Sequence, residues 1–316
     1  MPARIVCLVG PTASGKTGLA LDLATRLDAE IVSADSRQIY RSLDIGTAKP
    51  TAAERTRVPH HGIDLVEPDQ TFDVGRYRAA MLDAIADVHA RGRNVLVVGG
   101  TGLYVRALLF GLCPAPPRAP RLRALLHAWA AREGPPALHR RLRLVDGAAA
   151  MRIHTNDAVR IVRALEVAIV TGRRLSDWQR THGFRDASFD ALVIGLAVAP
   201  SHLGARIAAR IDAMLAGGWL DEVRGLVARE YPVDAPVWRT LGYAEMRAVV
   251  EGRATLAVAR AATVLATQRY AKRQRTWFRH EPAVVWRDPD VDRARIADEM
   301  TAFLHASRIA KPEGAE

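Results

Sequence analysis

At 316 residues, with 49% apolar and 25% charged residues, the chain has the balance of a soluble globular protein of one elaborated domain or two, which excludes disorder, collagen and coiled coil. Its 45 basic and 34 acidic residues leave a formal charge of +11, an excess that favours a polyanionic partner such as nucleic acid. The longest apolar stretch, 191–200, is about half of the ~20 residues a bilayer crossing requires, and two cysteines cannot build a disulfide framework, so no membrane partner and a cytoplasmic location are expected.

Residues 4–9 form a short β-branched run that ends in glycine and read as a buried strand. Apolar residues at 19, 20, 23, 24 and 27 predict a helix directly after it. A second strand over 30–34, a helix over 76–91 and a third strand over 94–98 follow, so 1–112 predicts an α/β core with a parallel sheet. From Cys113 the sequence changes character. The stretch CPAPPRAPR is a linker by composition, and helical periods over 121–132, 137–145 and 157–171 make 113–190 a helical insertion. A strand over 191–198 resumes the core. Helices over 202–216, 219–229, 240–251 and 255–279 and a last strand over 283–286 complete a segment 191–308, and 309–316 reads as a disordered tail.

The strongest chemical signal is Gly10-Pro11-Thr12-Ala13-Ser14-Gly15-Lys16-Thr17, a full match to a phosphate-binding loop (P-loop) placed between a strand and a helix. Backbone N–H groups and the helix N-terminus can cradle phosphate oxygens, Lys16 adds a cation, and the Thr17 hydroxyl can ligate Mg2+, the expected cofactor. An ordinary nucleotide hydrolase would end its third strand in aspartate. Here that strand runs into Gly99-Gly100-Thr101, and the carboxylate lies instead at Asp35, after the second strand. Ligands of open parallel sheets bind at that edge, so Asp35, Thr101 and the loop are expected to converge, with Asp35 as metal ligand, base or helix cap.

Two basic runs point to RNA. Segment 118–143 carries seven Arg against one Glu; 260–279 carries six cations and no acid, with Tyr270, Trp277 and Phe278 interleaved. Cations with stacking surfaces suit an RNA stem-loop, and Lys272, Arg273 and Arg275 are the candidates in the second run. Only four of the 45 cations are lysine, among them Lys16, Lys49 and Lys272.

The stretches GPTASGKT (10–17), SADSRQIY (33–40), DIGTAKP (44–50) and VGGTGLY (98–104) resemble those of the tRNA dimethylallyltransferases, also called tRNA isopentenyltransferases. The resemblance continues through 152–167, 197–200, 238–243 and 268–279. The zinc finger that eukaryotic members carry at the C-terminus has no counterpart here, so the chain looks like the bacterial form. The resemblance implies transfer of a dimethylallyl group from dimethylallyl diphosphate to N6 of adenine 37, in the anticodon stem-loop of tRNAs reading codons that begin with U. It also implies that Asp35 takes the N6 proton, that Thr101 hydrogen-bonds the bridging oxygen of the leaving group, and that Arg210 is an extra cation on the diphosphate. Lys49 would cap or brace the loop near Asp35. The tRNA contacts it implies are Asp35, Ser36, Arg37, Gln38 and Thr101, then Arg123, Val159, Arg160, Ile161, Val162 and Arg163, then Arg239, Gly242 and Tyr243. A monomer is expected. The alternatives are a small-molecule kinase, which would need ATP, and a nucleotide-driven RNA-binding switch.

Overall fold

A computed structural model describes residues 2–114, 116, 118–182 and 187–306; the expected tail over 309–316 lies outside them. The described residues fall into two compact units, 1–109 with 188–316, and 110–187.

The first unit runs β1 (Arg4–Val9), α1 (Lys16–Arg26), β2 (Ala29–Ser33), α2 (Ala52–Arg57), β3 (His60–His61), α3 (Val74–Ala90), β4 (Asn94–Gly99) and α4 (Gly102–Phe110). The insertion carries α5 (Pro120–Glu133), α6 (Pro135–Val145), α7 (Gly147–Arg152), α8 (Ala158–Thr171) and α9 (Leu175–His182). The first unit resumes with β5 (Asp190–Leu196), α10 (Pro200–Ala216), α11 (Trp219–Val227), α12 (Tyr243–Val250), α13 (Leu256–Arg279), β6 (Val284–Arg287) and α14 (Arg293–His305).

The six strands form one wholly parallel sheet in the order β3-β2-β4-β1-β5-β6. Ile5 to Val9 are each fully buried, because a central parallel strand is covered on both faces and therefore reads as a continuous apolar run. α1 packs Leu19, Ala20, Leu23 and Ala24 into the same core as Ile296, Ala297 and Met300 of α14. On a second core, α10 to α13 bury Ile207, Ile211, Trp219, Val223, Tyr243, Met246 and Ala271.

The chain leaves β1 with its neighbours β4 and β5 on opposite sides, so the carboxyl end of β1 is the switch point where such sheets bind ligands. Gly99 is required there. A Cβ on it would stand 2.2 Å from the Ala34 carbonyl oxygen, so only glycine lets the ends of β2 and β4 close on each other. Thr101 N then donates to Ala34 O at 3.0 Å, which draws Thr101 toward Asp35.

In the insertion, Leu126, Leu138, Leu142, Ile161, Val162 and Leu165 make a separate core. Its polar centre is Glu166, fully buried, accepting from Ala119 N at 2.8 Å and paired with Arg123 and Arg163 at 2.6 and 2.7 Å. Burial pushes the Glu166 carboxyl up, but the two guanidiniums and the amide outweigh it and hold it at about 2.

Several elements escape the periodic reading. α2 buries none of its residues and β3 is two histidines, so neither carries an apolar signal. α7, α9 and α14 are also additions to the sequence expectation. The helix expected over 240–251 is present as α12 but begins at Tyr243, because Gly242 before it has a φ of 84° that no interior helix residue adopts; a 3-10 turn, Pro236–Arg239, lies upstream.

Candidate active site

A cleft of about 220 Å³ opens at the carboxyl edge of the sheet, wholly within the first unit. Its floor is the loop from Thr12 to Thr17 with Gly18; Asp35, Arg37, Gly99 and Gly100 flank it, and α10 and α13 close it. The two helices contribute by period. Ile207, Arg210, Ile211 and Met214 of α10 lie at spacings of three and four, as do Thr263, Thr267, Tyr270 and Gln274 of α13, which places each set on one helix face. The cleft is thus polar at the loop and apolar along Ile207, Ile211, Met214 and Trp219.

Gly10 and Pro11 do not line the cleft. Their carbonyls hold Lys16, whose Nζ donates to Gly10 O at 2.9 Å and to Pro11 O. Burial, then the nearby Arg210, pull the Lys16 ammonium down to about 7 against an opposing effect of Asp35. Arg210 makes no hydrogen bond or ion pair among the described residues, and burial lowers its proton affinity too. Two cations that repel each other in a partly buried cleft are costly without a compensating charge. The arrangement is one that a phosphate-bearing anion would relieve.

Asp35 Oδ1 accepts from Arg37 N at 2.8 Å, an Asx turn that leaves Oδ2 free of protein donors among the described residues. Thr101 Oγ1 accepts from Ser36 N at 3.1 Å, lies 3.4 Å from Ser36 Oγ and interacts with the Tyr270 hydroxyl. Asp35, Ser36 and Thr101 therefore converge beside the loop. Gln38 is more constrained than a base-reading amide would be. It accepts from Ser33 Oγ and donates to Thr47 O and Ala48 O.

Three side chains that the sequence reading does not single out in these roles hold the site. Gln274 accepts from Thr12 N at 2.8 Å and donates to Gly100 O at 2.9 Å, tying the phosphate loop to the end of β4. Glu222 accepts from the N–H groups of Asp44, Ile45 and Gly46 and from the Tyr243 hydroxyl, fixing the segment behind Gln38. Tyr270 supports Thr101. Lys49 braces the same segment: its buried ammonium pairs with Asp44 at 2.6 Å and Asp64 at 2.7 Å and donates to Tyr40 O. Lys49→Met removes a buried cation from Asp44 and from Asp64, which keeps Arg55 at 2.7 Å, and denaturant unfolding should show a loss of about 2 kcal/mol.

The tRNA candidates divide by exposure. Arg37, Arg239, Lys272, Arg273 and Arg275 make no ion pair among the described residues. In the insertion, Val159 and Arg160 are exposed, Arg160 facing Asp157 at 3.4 Å, whereas Arg123 and Arg163 are taken up by Glu166. Ile161, Val162 and Tyr243 are core side chains, so they present no surface to a polyanion; Gly242 is buried as well. Arg260, counted in the second basic run, is neutralised by Asp212 at 2.6 Å.

Thr17 stands exposed at the start of α1 and lines the cleft, as a metal-ligating hydroxyl must. Among the described residues no three His, Cys, Asp or Glu converge on a point. A divalent ion here would draw its other ligands from water and diphosphate oxygens, which suits Mg2+.

A family model described as IPP transferase matches residues 38–281, and one described as isopentenyl transferase matches 3–66. The tRNA dimethylallyltransferase of Anaeromyxobacter dehalogenans is 52% identical over 294 residues, 93% of this chain and 98% of that one. That of Geobacter metallireducens is 47% identical over 302 residues, 96% of this chain and 98% of that one. The crystal structure of the full-length tRNA isopentenylpyrophosphate transferase from Bacillus halodurans matches with a TM-score of 0.71 at 36% identity, covering 96% of this chain and 97% of that one. A eukaryotic dimethylallyltransferase acting on tRNA matches with a TM-score of 0.81 at 25% identity, covering 98% and 81%.

Proposed function

The chain belongs to the IPP transferase family of tRNA dimethylallyltransferases, and on that premise we propose that its cleft moves a dimethylallyl group from dimethylallyl diphosphate to N6 of adenine 37 in the anticodon stem-loop of tRNA. The observation that carries the assignment to this cleft is the pair of mutually repelling cations, Lys16 and Arg210, facing the unsatisfied oxygen of Asp35.

The reaction breaks the bond from C1 of the prenyl group to the bridging oxygen and forms one from C1 to N6; diphosphate leaves and N6 loses a proton. N6 is a poor nucleophile because its lone pair is delocalised into the ring. Asp35 Oδ2 takes that proton, while the Asx turn to Arg37 N holds the carboxylate in place. The loop amides from Thr12 to Thr17, Lys16 and Arg210 receive the charge of the leaving diphosphate, and Thr101 hydrogen-bonds the bridging oxygen. Mg2+ held by Thr17 and the diphosphate would neutralise part of that charge. The apolar flank of Ile207, Ile211 and Met214 suits the prenyl tail, and the adenine is taken out of its stack and met by the Ser36 hydroxyl, while Gln38, bonded to Ser33, Thr47 and Ala48, shapes the segment behind it. We place the reaction in the cytoplasm, carried out by a monomer.

The test is transfer of labelled dimethylallyl from its diphosphate to unmodified tRNA with A36-A37-A38 in the presence of Mg2+, followed by mass spectrometry of the nucleosides. Label on N6 of adenine 37 with release of diphosphate and no need for ATP is the expected result. Strict dependence on ATP, or ATP turnover without transfer, would overturn it.

Lys16 supplies a second check with a defined sign. Its ammonium titrates near 7 in the free protein, and a bound diphosphate restores the charged form. Binding should therefore take up a proton as pH rises above 7, approaching one per site by about pH 8.5, and affinity should fall over the same range. Calorimetry in buffers of different ionisation enthalpy reads this directly. In Lys16→Ala the uptake should vanish and diphosphate binding should weaken.

A further inference from the structure

The helical wheel of α13 separates its cations. At about 100° per residue, Gln274 faces the cleft, while Arg275 and Arg279 lie about 100° and 140° away on one flank, and Arg273 falls about 160° from Arg275 on the other. Arg273 stays beside the cleft, stacked 5.6 Å from the ring of Tyr270. Arg275 and Arg279 face elsewhere. With Trp286 of β6, Val198 and Pro11 they line a separate cavity of about 240 Å³, which shares no residue with the cleft.

This cavity lies beyond the carboxyl ends of β5 and β6, the same sheet edge that forms the cleft. Its aromatic wall is fixed by Gly195, where a Cβ would stand 3.0 Å from the Trp286 ring, so the indole lies against bare backbone and stays half-exposed to the cavity. Its two guanidiniums carry no ion pair or hydrogen bond among the described residues. Glu281, an acid close in sequence to Arg279, pairs with Arg106 instead, at 2.8 Å. A cation in the last turn of a helix complements the helix dipole, which would account for Arg279. It does not account for Arg275 one turn earlier, nor for an aromatic platform beside both.

We propose that Arg275, Arg279 and Trp286 form a second pocket, distinct from the catalytic cleft, that binds a nucleotide with its base on the indole and its phosphate between the two guanidiniums. Indole stacking with arginine pairing is how single-stranded nucleotides are held without sequence preference. The same chemistry fits a free mononucleotide or one nucleotide of a bound RNA. Because Pro11 belongs to the phosphate loop and to this cavity, an occupant would touch the loop from outside the cleft.

The test uses the full chain with the phosphate loop saturated by Mg2+ and inorganic pyrophosphate, and follows adenosine 5′-monophosphate by calorimetry. The mononucleotide should still bind. Arg275→Ala with Arg279→Ala, and separately Trp286→Leu, should each weaken it about tenfold. Trp286→Phe, which keeps a ring over Gly195, should restore most of the loss, and thermal melting verifies that each variant is folded. In a parallel arm, an anticodon stem-loop RNA that loses affinity in the same variants and is displaced by the mononucleotide identifies the RNA as the source. Unchanged stem-loop affinity alongside weakened mononucleotide binding identifies a free nucleotide. The proposal is overturned if pyrophosphate abolishes mononucleotide binding, if the arginine variant changes neither ligand, or if the Trp286→Leu protein binds the mononucleotide as the parent does. None of these readouts depends on prenyl transfer, so they stand apart from the assignment of the catalytic cleft.

Discussion

Asp35→Ala is expected to lower single-turnover transfer by about 10² or more while tRNA affinity stays within a few fold, as the loss of a general base should. The structure adds a control that sequence alone could not supply. Asp35 also closes an Asx turn, with Oδ1 accepting from Arg37 N at 2.8 Å. An asparagine keeps that acceptor but cannot take a proton. If proton removal is the role, Asp35→Asn should be as slow as Asp35→Ala; if the carboxylate only shapes the loop, asparagine should recover most of the rate. A shift confined to KM, with kcat retained in both variants, would make Asp35 a binding residue.

The parts of this site that a sequence can show are those carried by contiguous chain. The phosphate loop is legible because eight consecutive residues make it, and β1 and β4 are legible because strands buried on both faces become near-continuous apolar runs. Asp35 could be placed near the loop because parallel sheets bring their carboxyl ends to one edge. Gln274 could not. It reaches Thr12 across 262 positions and Gly100 across 174, and nothing local distinguishes it from the other polar residues of α13. Glu222 is likewise an ordinary acid near the start of a helix until the fold brings Asp44 to Gly46 against it. The basic runs show the converse: neighbours in sequence can part in the fold. Lys272, Arg273 and Arg275 are neighbours in sequence, yet the helix turns Arg273 toward the cleft and Arg275 toward a different cavity. In the insertion, Arg123 and Arg163 count as charge in the sequence, but a buried glutamate that must be compensated takes both.

This sorting of paired from unpaired cations locates the surplus charge. Arg4, Arg26, Arg57, Arg91, Arg206, Arg253, Arg287, Arg293 and Arg295 each face a carboxylate, so the first unit carries many arginines that add little to its field. Arg37, Arg239 and Arg273 do not: Arg37 lines the cleft, Arg239 directly precedes the cleft-lining Thr240, and Arg273 lies over the ring of the cleft-lining Tyr270. On the proposed function, these three cations form the rim past which an anticodon loop brings its adenine to Asp35. Each phosphate contact adds about 0.7 to 0.9 to the salt slope of log affinity, so three of them contribute about 100- to 500-fold at 0.1 M salt. Changing Arg37, Arg239 and Arg273 together to Gln should therefore weaken tRNA binding by about that much and flatten the salt dependence by about two to three units. Arg253, Arg293 and Arg295 changed to Gln remove the same formal charge from sites already neutralised by Glu251, Asp22 and Glu299, and tRNA affinity should barely move. Equal losses in the two triple variants, measured across a salt series, would mean that the net charge acts diffusely and that the rim around Asp35 is not where tRNA is held.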